Sequence, residues 1–350
     1  MQIEIISFTE QGSRLAENIR KELEPYAESH VVYGKKMKQP LQDWCREAFL
    51  NAQLLIFVGA AGIAVRTIAP FVRDKFTDPA VLVVDEKGTY VIPILSGHVG
   101  RANEYAAYLS EKLSATAVIT TATDLNKKFA VDVFAQKNGL VIRDRVWAKN
   151  ISAAILQGEK IGVSCEGDMV GNLPGELFRV SKKVPEKEED LLTELPRAGQ
   201  KGHHHISIGI HTENHLIPKA VTLGIGCRKG KLAEEIERFV LEQLEKQQIA
   251  LESITCVASV DKKKEEPGLV AFCQKYGLKF QTFSSEQLKK VQGDFAESAF
   301  VEETIGVGNV CERAAICAQR TENAHIIRNK TAENGMTLAI AEKEWSVNFE

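Results

Sequence analysis

The sequence predicts an α/β protein: two α/β domains with mainly parallel sheets, joined by a less regular middle segment. Three observations predict it. Short apolar runs alternate with amphipathic stretches in the first part of the chain, and alternating strands and helices imply a parallel sheet covered on both faces. The same alternation restarts at about Val221. Between the two lies a stretch that is polar, charged and broken by prolines. The expected boundaries are 1–139 for the N-terminal domain, 140–220 for the middle segment and 221–345 for the C-terminal domain.

The elements follow in order. "IEIISF" reads as a strand, and "GSRLAENIRKELEPY" as a helix with Leu15, Ile19 and Leu23 on one face. "LLIFVG" is a buried strand, and "VLVVDEKGTYVIPI" is two strands joined by an Asp-Glu-Lys-Gly turn. "RANEYAAYLSEKL" is a helix, "AVITTATD" a strand with its exit loop, and "VDVFAQKNG" a helix. In the middle, "ISAAILQGEKIGVSC" and "LFRVSKK" suggest a helix and short strands. "KKVPEKEEDLLTELPRAGQKGHHH" reads as a long surface loop. In the last third, "AVTLGIGC", "ITCVASVD", "LKFQTFS" and "MTLAIAE" are strands. Helices separate them: a long one from Lys231 with Ile236, Val240 and Leu244 on one face, one over "GLVAFCQKYG" ending at Gly277, a serine-capped "SSEQLKKV", and "VCERAAICAQR".

Bulk properties narrow the function. A chain of 350 residues has room for two or three domains, and 44% apolar with 26% charged residues fits a soluble globular protein. A net charge of −3 argues against a general nucleic-acid binder. No basic-then-apolar leader opens the chain, and the apolar run Leu54–Val65 is too short for a bilayer, so no membrane partner and a cytoplasmic place are expected. Seven cysteines without a CxxC pair fit a reducing compartment and argue against structural zinc. The His203, His204, His205 triplet reads as solvated loop, because three adjacent histidines cannot all face one ion. No metal site is expected.

In parallel sheets ligands bind beyond the carboxyl ends of strands. Three glycine-rich or polar exits stand there in the first domain. They are "GAAGIAVR" with Gly59, Gly62 and Arg66; "SGHVGRAN" with Gly97, His98, Gly100, Arg101 and Asn103; and "TTATD" ending in Asp124. Histidine is the side chain whose ordinary range lies near neutrality, so His98 is a candidate for general acid or base work. In the last domain, "GIGCRKG" (Gly224, Gly226, Cys227, Arg228, Lys229) precedes a helix and suits an anion, but it lacks the order of a nucleotide phosphate loop. "ASVDKKKEEPGL" offers Ser259, Asp261 and Lys263, against a plain reading as a solvated charge run before a helix. "TIGVGNVCERAAICA" offers Gly306, Gly308 and Glu312, although Glu312 also suits the helix dipole.

Taken together, "GAAGIAVRTIAPFVRDKFTDPAVLVVDEKGTYVIPILSGHVGRANEYA…VITTATD" resembles the N-terminal domain of the cobalt-precorrin-5A hydrolase (CbiG-type) family. "LGIGCRKG", "ASVDKKKEEPGL" and "VEETIGVGNVCERAA" resemble its C-terminal domain. The resemblance covers most of the chain in the family's order and is weakest over about 140–220. One departure is Arg101, where the family pattern has a second glycine; another is Lys262, where it is apolar.

The resemblance implies a cytoplasmic hydrolase of anaerobic cobalamin biosynthesis. Its small-molecule substrate is a cobalt corrinoid bearing carboxylates and a δ-lactone. The lactone is opened, a two-carbon fragment leaves as acetaldehyde, and the product is cobalt-precorrin-5B. No cofactor is implied, since cobalt arrives within the substrate, and a homodimer is left open. On this reading His98 is the expected base, with Asp124, Asp261 and Glu312 as further catalytic candidates, and the remaining glycine-loop residues, with Ser259 and Lys263, hold substrate. The alternative is a carrier that binds the corrinoid and releases no acetaldehyde.

Overall fold

The computed structural model describes residues 1–180, 204–319 and 323–350, apart from Tyr26, Lys75 and Lys127. The chain divides into two compact units, Met1–Val133 and Phe134–Glu350.

The first unit carries a sheet of order β2-β1-β3-β4-β5-β6. Its strands are β1 (Gln2–Ser7), β2 (Glu28–Tyr33), β3 (Leu54–Val58), β4 (Ala80–Val84), β5 (Tyr90–Leu95) and the two-residue β6 (Thr116–Ala117). Successive side chains of a strand point to opposite faces, and both faces here are apolar. Ile3, Ile5, Leu54, Ile56, Leu82 and Val84 pack against α1 (Glu10–Leu23) and α4 (Ala102–Leu113). Ile6, Leu55, Phe57, Val81 and Val83 pack against α2 (Leu41–Asn51) and α3 (Ala61–Ile68). This is why "LLIFV" is continuously apolar. β1, β2, β3 and β4 run parallel, whereas β5 is antiparallel to β4 and parallel to β6. The expected exit loop "TTATD" is instead the start of the short helix α5 (Ala122–Leu125). α6 (Val131–Lys137) follows, and the first unit ends within it.

In the second unit, a five-stranded sheet has the order β10-β8-β11-β12-β7. It contains β7 (Leu140–Ile142), β8 (Ile161–Cys165), β10 (Leu177–Arg179), β11 (His205–Ile208) and β12 (Leu216–Pro218), with α7 (Arg145–Leu156) and a separate strand β9 (Asp168–Val170) between them in sequence. The expected polar loop spans 182–205, and its residues 182–203 lie outside the described ones. His204 pairs with Glu159, and His205 belongs to β11 and bonds Ser164 through Nε2.

The rest forms a third sheet, of order β15-β14-β13-β17-β16. β13 (Val221–Cys227), β14 (Ile254–Val260) and β15 (Lys279–Phe283) are parallel. The edge is antiparallel, with β16 (Ala324–Glu333) and β17 (Met336–Lys343). α8 (Ala233–Lys246) and α9 (Pro267–Lys275) cover one face through Ile236, Phe239, Val240, Leu269 and Phe272. α12 (Cys311–Gln319) covers the other, with α10 (Ser285–Lys289) and α11 (Ala299–Ile305) beside it. β18 (Ser346–Asn348) pairs with β9. β16 is not among the strands expected from the sequence.

Candidate active site

The "SGHVGRAN" turn follows β5 and opens α4. Its glycines serve the turn itself. A Cβ on Gly97 would meet the Asn103 amide, and one on Gly100 would come within 2.8 Å of the Ser96 carbonyl and 3.2 Å of the Ala80 amide. Ser96 takes φ +54° and donates its hydroxyl to the Asp78 carbonyl at 3.0 Å. Asn103 donates from Nδ2 to the Thr121 hydroxyl at 2.9 Å. Arg101 sits at φ +65° and turns back along α4, where Nε donates to Glu104 at 2.8 Å.

His98 is mostly buried, with its Nδ1 3.4 Å from both carboxylate oxygens of Asp132. Asp132 is equally sheltered and lies in the first turn of α6. A carboxylate at Nδ1 holds the proton on that nitrogen and leaves Nε2 as the ring's lone-pair nitrogen. The sequence offers Asp124 or Asp261 to orient His98 or to serve as acid. Asp124 falls in α5, and its side chain lies outside the described residues. Asp132 was missed, because nothing local marks an aspartate 34 residues away as the partner.

The sheet corrects another expectation. "GAAGIAVR" follows parallel β3, but β5 runs opposite to its neighbour β4 and Leu95 pairs with Val81 at the start of β4. Gly59, Gly62 and Arg66 therefore leave at one end of the strands and His98 at the other. The Asp85–Thr89 turn reverses the chain, so a strand exit does not identify one common end of the sheet.

In the second unit a cavity of about 870 Å3 opens at the carboxyl ends of β13 and β14, within the range usual for ligand sites. Val260, Val301, Ile305, Val310 and Met336 give it apolar walls, and Arg228, Lys229, Lys262, Lys263 and Lys330 bring five cations, against Glu265 and Glu266. Lys263 is paired with Glu266 at 2.7 Å. Burial pushes the Glu266 carboxyl up, but Lys263 and the Gly230 N–H outweigh it and hold it below its ordinary value. Lys262 donates to the Thr304 carbonyl at 2.7 Å. Arg228, Lys229 and Lys330 have no carboxylate within ion-pair distance among the described residues.

Of the sequence candidates, Gly226, Cys227, Arg228, Lys229 and Lys263 line this cavity. Burial pushes the Cys227 thiol up, so it is held protonated. Gly224 lies beneath, where α12 crosses β13: a Cβ there would overlap the Cys311 carbonyl. Ser259 is buried and donates to the Ile225 carbonyl at 2.6 Å. Gly306 ends α11 at φ +88°. Gly308 abuts Glu297. Asp261 is exposed in the turn after β14, outside the lining. Glu312 is fully buried and accepts from Asn309 Nδ2, the Ala296 N–H and the Lys330 N–H, so its oxygens tie three segments together behind the cavity. The walls supplied by α11, β16 and β17 were not anticipated.

Family profiles match along the chain: "Cobalamin synthesis G N-terminal" over residues 43–124, "Cobalamin biosynthesis central region" over 129–222, and "Cobalamin synthesis G C-terminus" over 221–341. A cobalt-precorrin-5A hydrolase from Salmonella typhimurium is 33% identical over 84% of this chain and 83% of its own. The chain belongs to the cobalt-precorrin-5A hydrolase (CbiG) family. Another member, the cobalt-precorrin-5A hydrolase of Priestia megaterium, is 28% identical over 96% of this chain and 94% of its own. A solved cobalamin biosynthesis protein G homolog from Sulfolobus solfataricus aligns with 98% of this chain and 97% of its own at 23% identity and a TM-score of 0.40. The match of the central region shows that the family extends through the segment where the sequence carries no quotable motif.

Proposed function

We propose that this protein is a cobalt-precorrin-5A hydrolase, and that the cavity of its second unit holds the corrinoid. The observation that carries the binding assignment is the pairing of apolar walls with three cations that lack carboxylate partners among the described residues. A flat macrocycle bearing carboxylates needs both: apolar surface against its rings and charged donors for its acid groups.

The chemistry requires water to add to the lactone carbonyl, freeing a carboxylate and a hydroxyl on the two-carbon arm. That hydroxyl then loses its proton as the carbon–carbon bond breaks. Acetaldehyde leaves and the macrocycle carbon takes up a proton. A base must accept the water's proton, and His98 with Asp132 beside its Nδ1 is the first unit's candidate for that role by its chemistry. The proposed roles need no added cofactor; cobalt enters with the substrate. Cys227, Arg228 and Lys229 are proposed contacts of the macrocycle.

Incubating the purified protein with cobalt-precorrin-5A, and following product mass together with released aldehyde, tests the reading. Stoichiometric acetaldehyde with cobalt-precorrin-5B is the expected result. Tight binding without aldehyde would replace the hydrolase by a corrinoid carrier.

A further inference from the structure

We propose that Lys330 is a carboxylate-binding residue of the corrinoid cavity, set in place by the buried Glu312 acting on its backbone across a bulge in β16; this rests on the hydrolase reading above. The register between β16 and β17 runs Arg328 opposite Ile340, then Thr331 opposite Leu338. Three steps on β16 face two on β17, so one extra residue is accommodated between Arg328 and Thr331. A bulge frees an amide from the ladder and re-aims its side chain, and such bulges concentrate beside functional sites.

The freed amide is accounted for. The Lys330 N–H donates to Glu312 Oε1 at 2.7 Å. The other Glu312 oxygen accepts from Asn309 Nδ2 at 2.5 Å and from the Ala296 N–H at 3.2 Å, while Asn309 Oδ1 receives the Glu312 N–H at 3.0 Å. A fully buried carboxylate is costly unless its lone pairs are satisfied, and here that satisfaction fixes the Lys330 backbone against the first turn of α12. Lys330 then lines the same cavity as Arg228 and Lys229, from a different element of the chain. Its charge lies near enough to Cys311 to oppose the upward push of burial on that thiol. With no carboxylate in ion-pair reach among the described residues, the ammonium is left for an acidic group of the ligand.

The test uses the full-length protein, its turnover of cobalt-precorrin-5A, and two binding probes. Cobyrinic acid is a cobalt corrinoid with free carboxylates; its heptamethyl ester has none. Lys330→Gln should weaken cobyrinic acid binding about tenfold and raise KM for cobalt-precorrin-5A similarly with little change in kcat, as expected for a lost charged hydrogen bond made equally in ground and transition states. Lys330→Arg should restore most of the affinity, and the ester should bind wild type and Lys330→Gln alike. Unchanged cobyrinic acid affinity in Lys330→Gln, or an equal loss for the ester, would overturn the assignment.

Glu312→Gln tests the positioning role. It should weaken cobyrinic acid binding in the same direction and add little on top of Lys330→Gln. Fully additive losses would remove Glu312 from the scheme. If Glu312→Gln fails to fold, the two Lys330 variants still decide the binding role. A wild type that binds cobyrinic acid but releases no aldehyde would defeat the hydrolase reading and leave the Lys330 site standing.

Discussion

His98 and Asp132 form a sheltered imidazole–carboxylate pair, with Nδ1 3.4 Å from each carboxylate oxygen. The two residues come from the turn after β5 and the first turn of α6. If this pair handles the proton of the attacking water, His98→Gln should lower kcat by about 10²–10⁴-fold with KM little changed. Asp132→Asn should reduce kcat in the same direction while leaving the thermal midpoint near that of wild type. Steady-state aldehyde release measures both. Near-normal kcat in His98→Gln would remove the ring from the mechanism.

Arg101 occupies φ +65°, a conformation that a glycine adopts freely and an L side chain adopts at a cost of about 1–2 kcal/mol. A glycine, which the resemblance implies at this place, would suit the backbone: the residue caps α4 in the left-handed region. Its guanidinium recovers little, since its partner Glu104 is a half-exposed surface group. Arg101→Gly should therefore raise stability by about 1 kcal/mol, read from urea unfolding. A stability loss of that size would show that the Glu104 contact and the stacking over Tyr105 outweigh the strain.

Gly224 lies on a central strand where α12 crosses it, with the Cys311 carbonyl filling the place of a side chain. Gly224→Ala must push back the start of α12, which carries Cys311 at the cavity wall. The expected loss is about 1–3 kcal/mol, as for overpacked cores, together with a raised KM. Urea melts and substrate titration check it; wild-type stability would contradict the close approach. The glycine was legible in the sequence, but its purpose was not. A glycine cleared for a ligand and one cleared for a crossing helix look the same until the helix is placed.

The same distinction separates what the sequence discloses from what it hides. The regular alternation of β1–β4 with helices is local, and apolar runs such as Leu54–Val58 announce it. Lys229 and Lys263 were found because they follow parallel strands whose carboxyl ends form the cavity. Lys330 was not, because its strand is interrupted by bulges and "HIIRNKTAE" shows no clean period of two. His98 stood out by its glycine turn, yet its partner lies on a helix beyond a crossover, and the end of the sheet it faces depends on the antiparallel pairing of β4 with β5. Non-local pairing and strand direction are set by tertiary packing, which composition does not encode.

A last expectation concerns acid stability and comes from the central sheet. His215 stacks on Trp147 with ring centroids 4.3 Å apart, and its backbone N–H donates to the Ser207 hydroxyl at 3.1 Å. The same hydroxyl lies 2.7 Å from ring Nδ1, an arrangement that suits a neutral ring accepting the Ser207 proton. Burial, aided by the nearby His205, lowers the His215 pKa below its ordinary 6.5, against a smaller opposing pull from Asp144. The unfolded chain therefore binds this proton more readily than the folded one. Its contribution to stability is complete above about pH 6.5 and is lost as pH falls from there through the folded-state value, at no more than about 1.4 kcal/mol per pH unit. His215→Phe keeps an aromatic ring against Trp147 and removes the titrating group. Thermal melts between pH 7 and pH 5 should show a shallower fall for His215→Phe than for wild type, and parallel curves would mean that the folded protein protonates His215 as easily as the unfolded chain does.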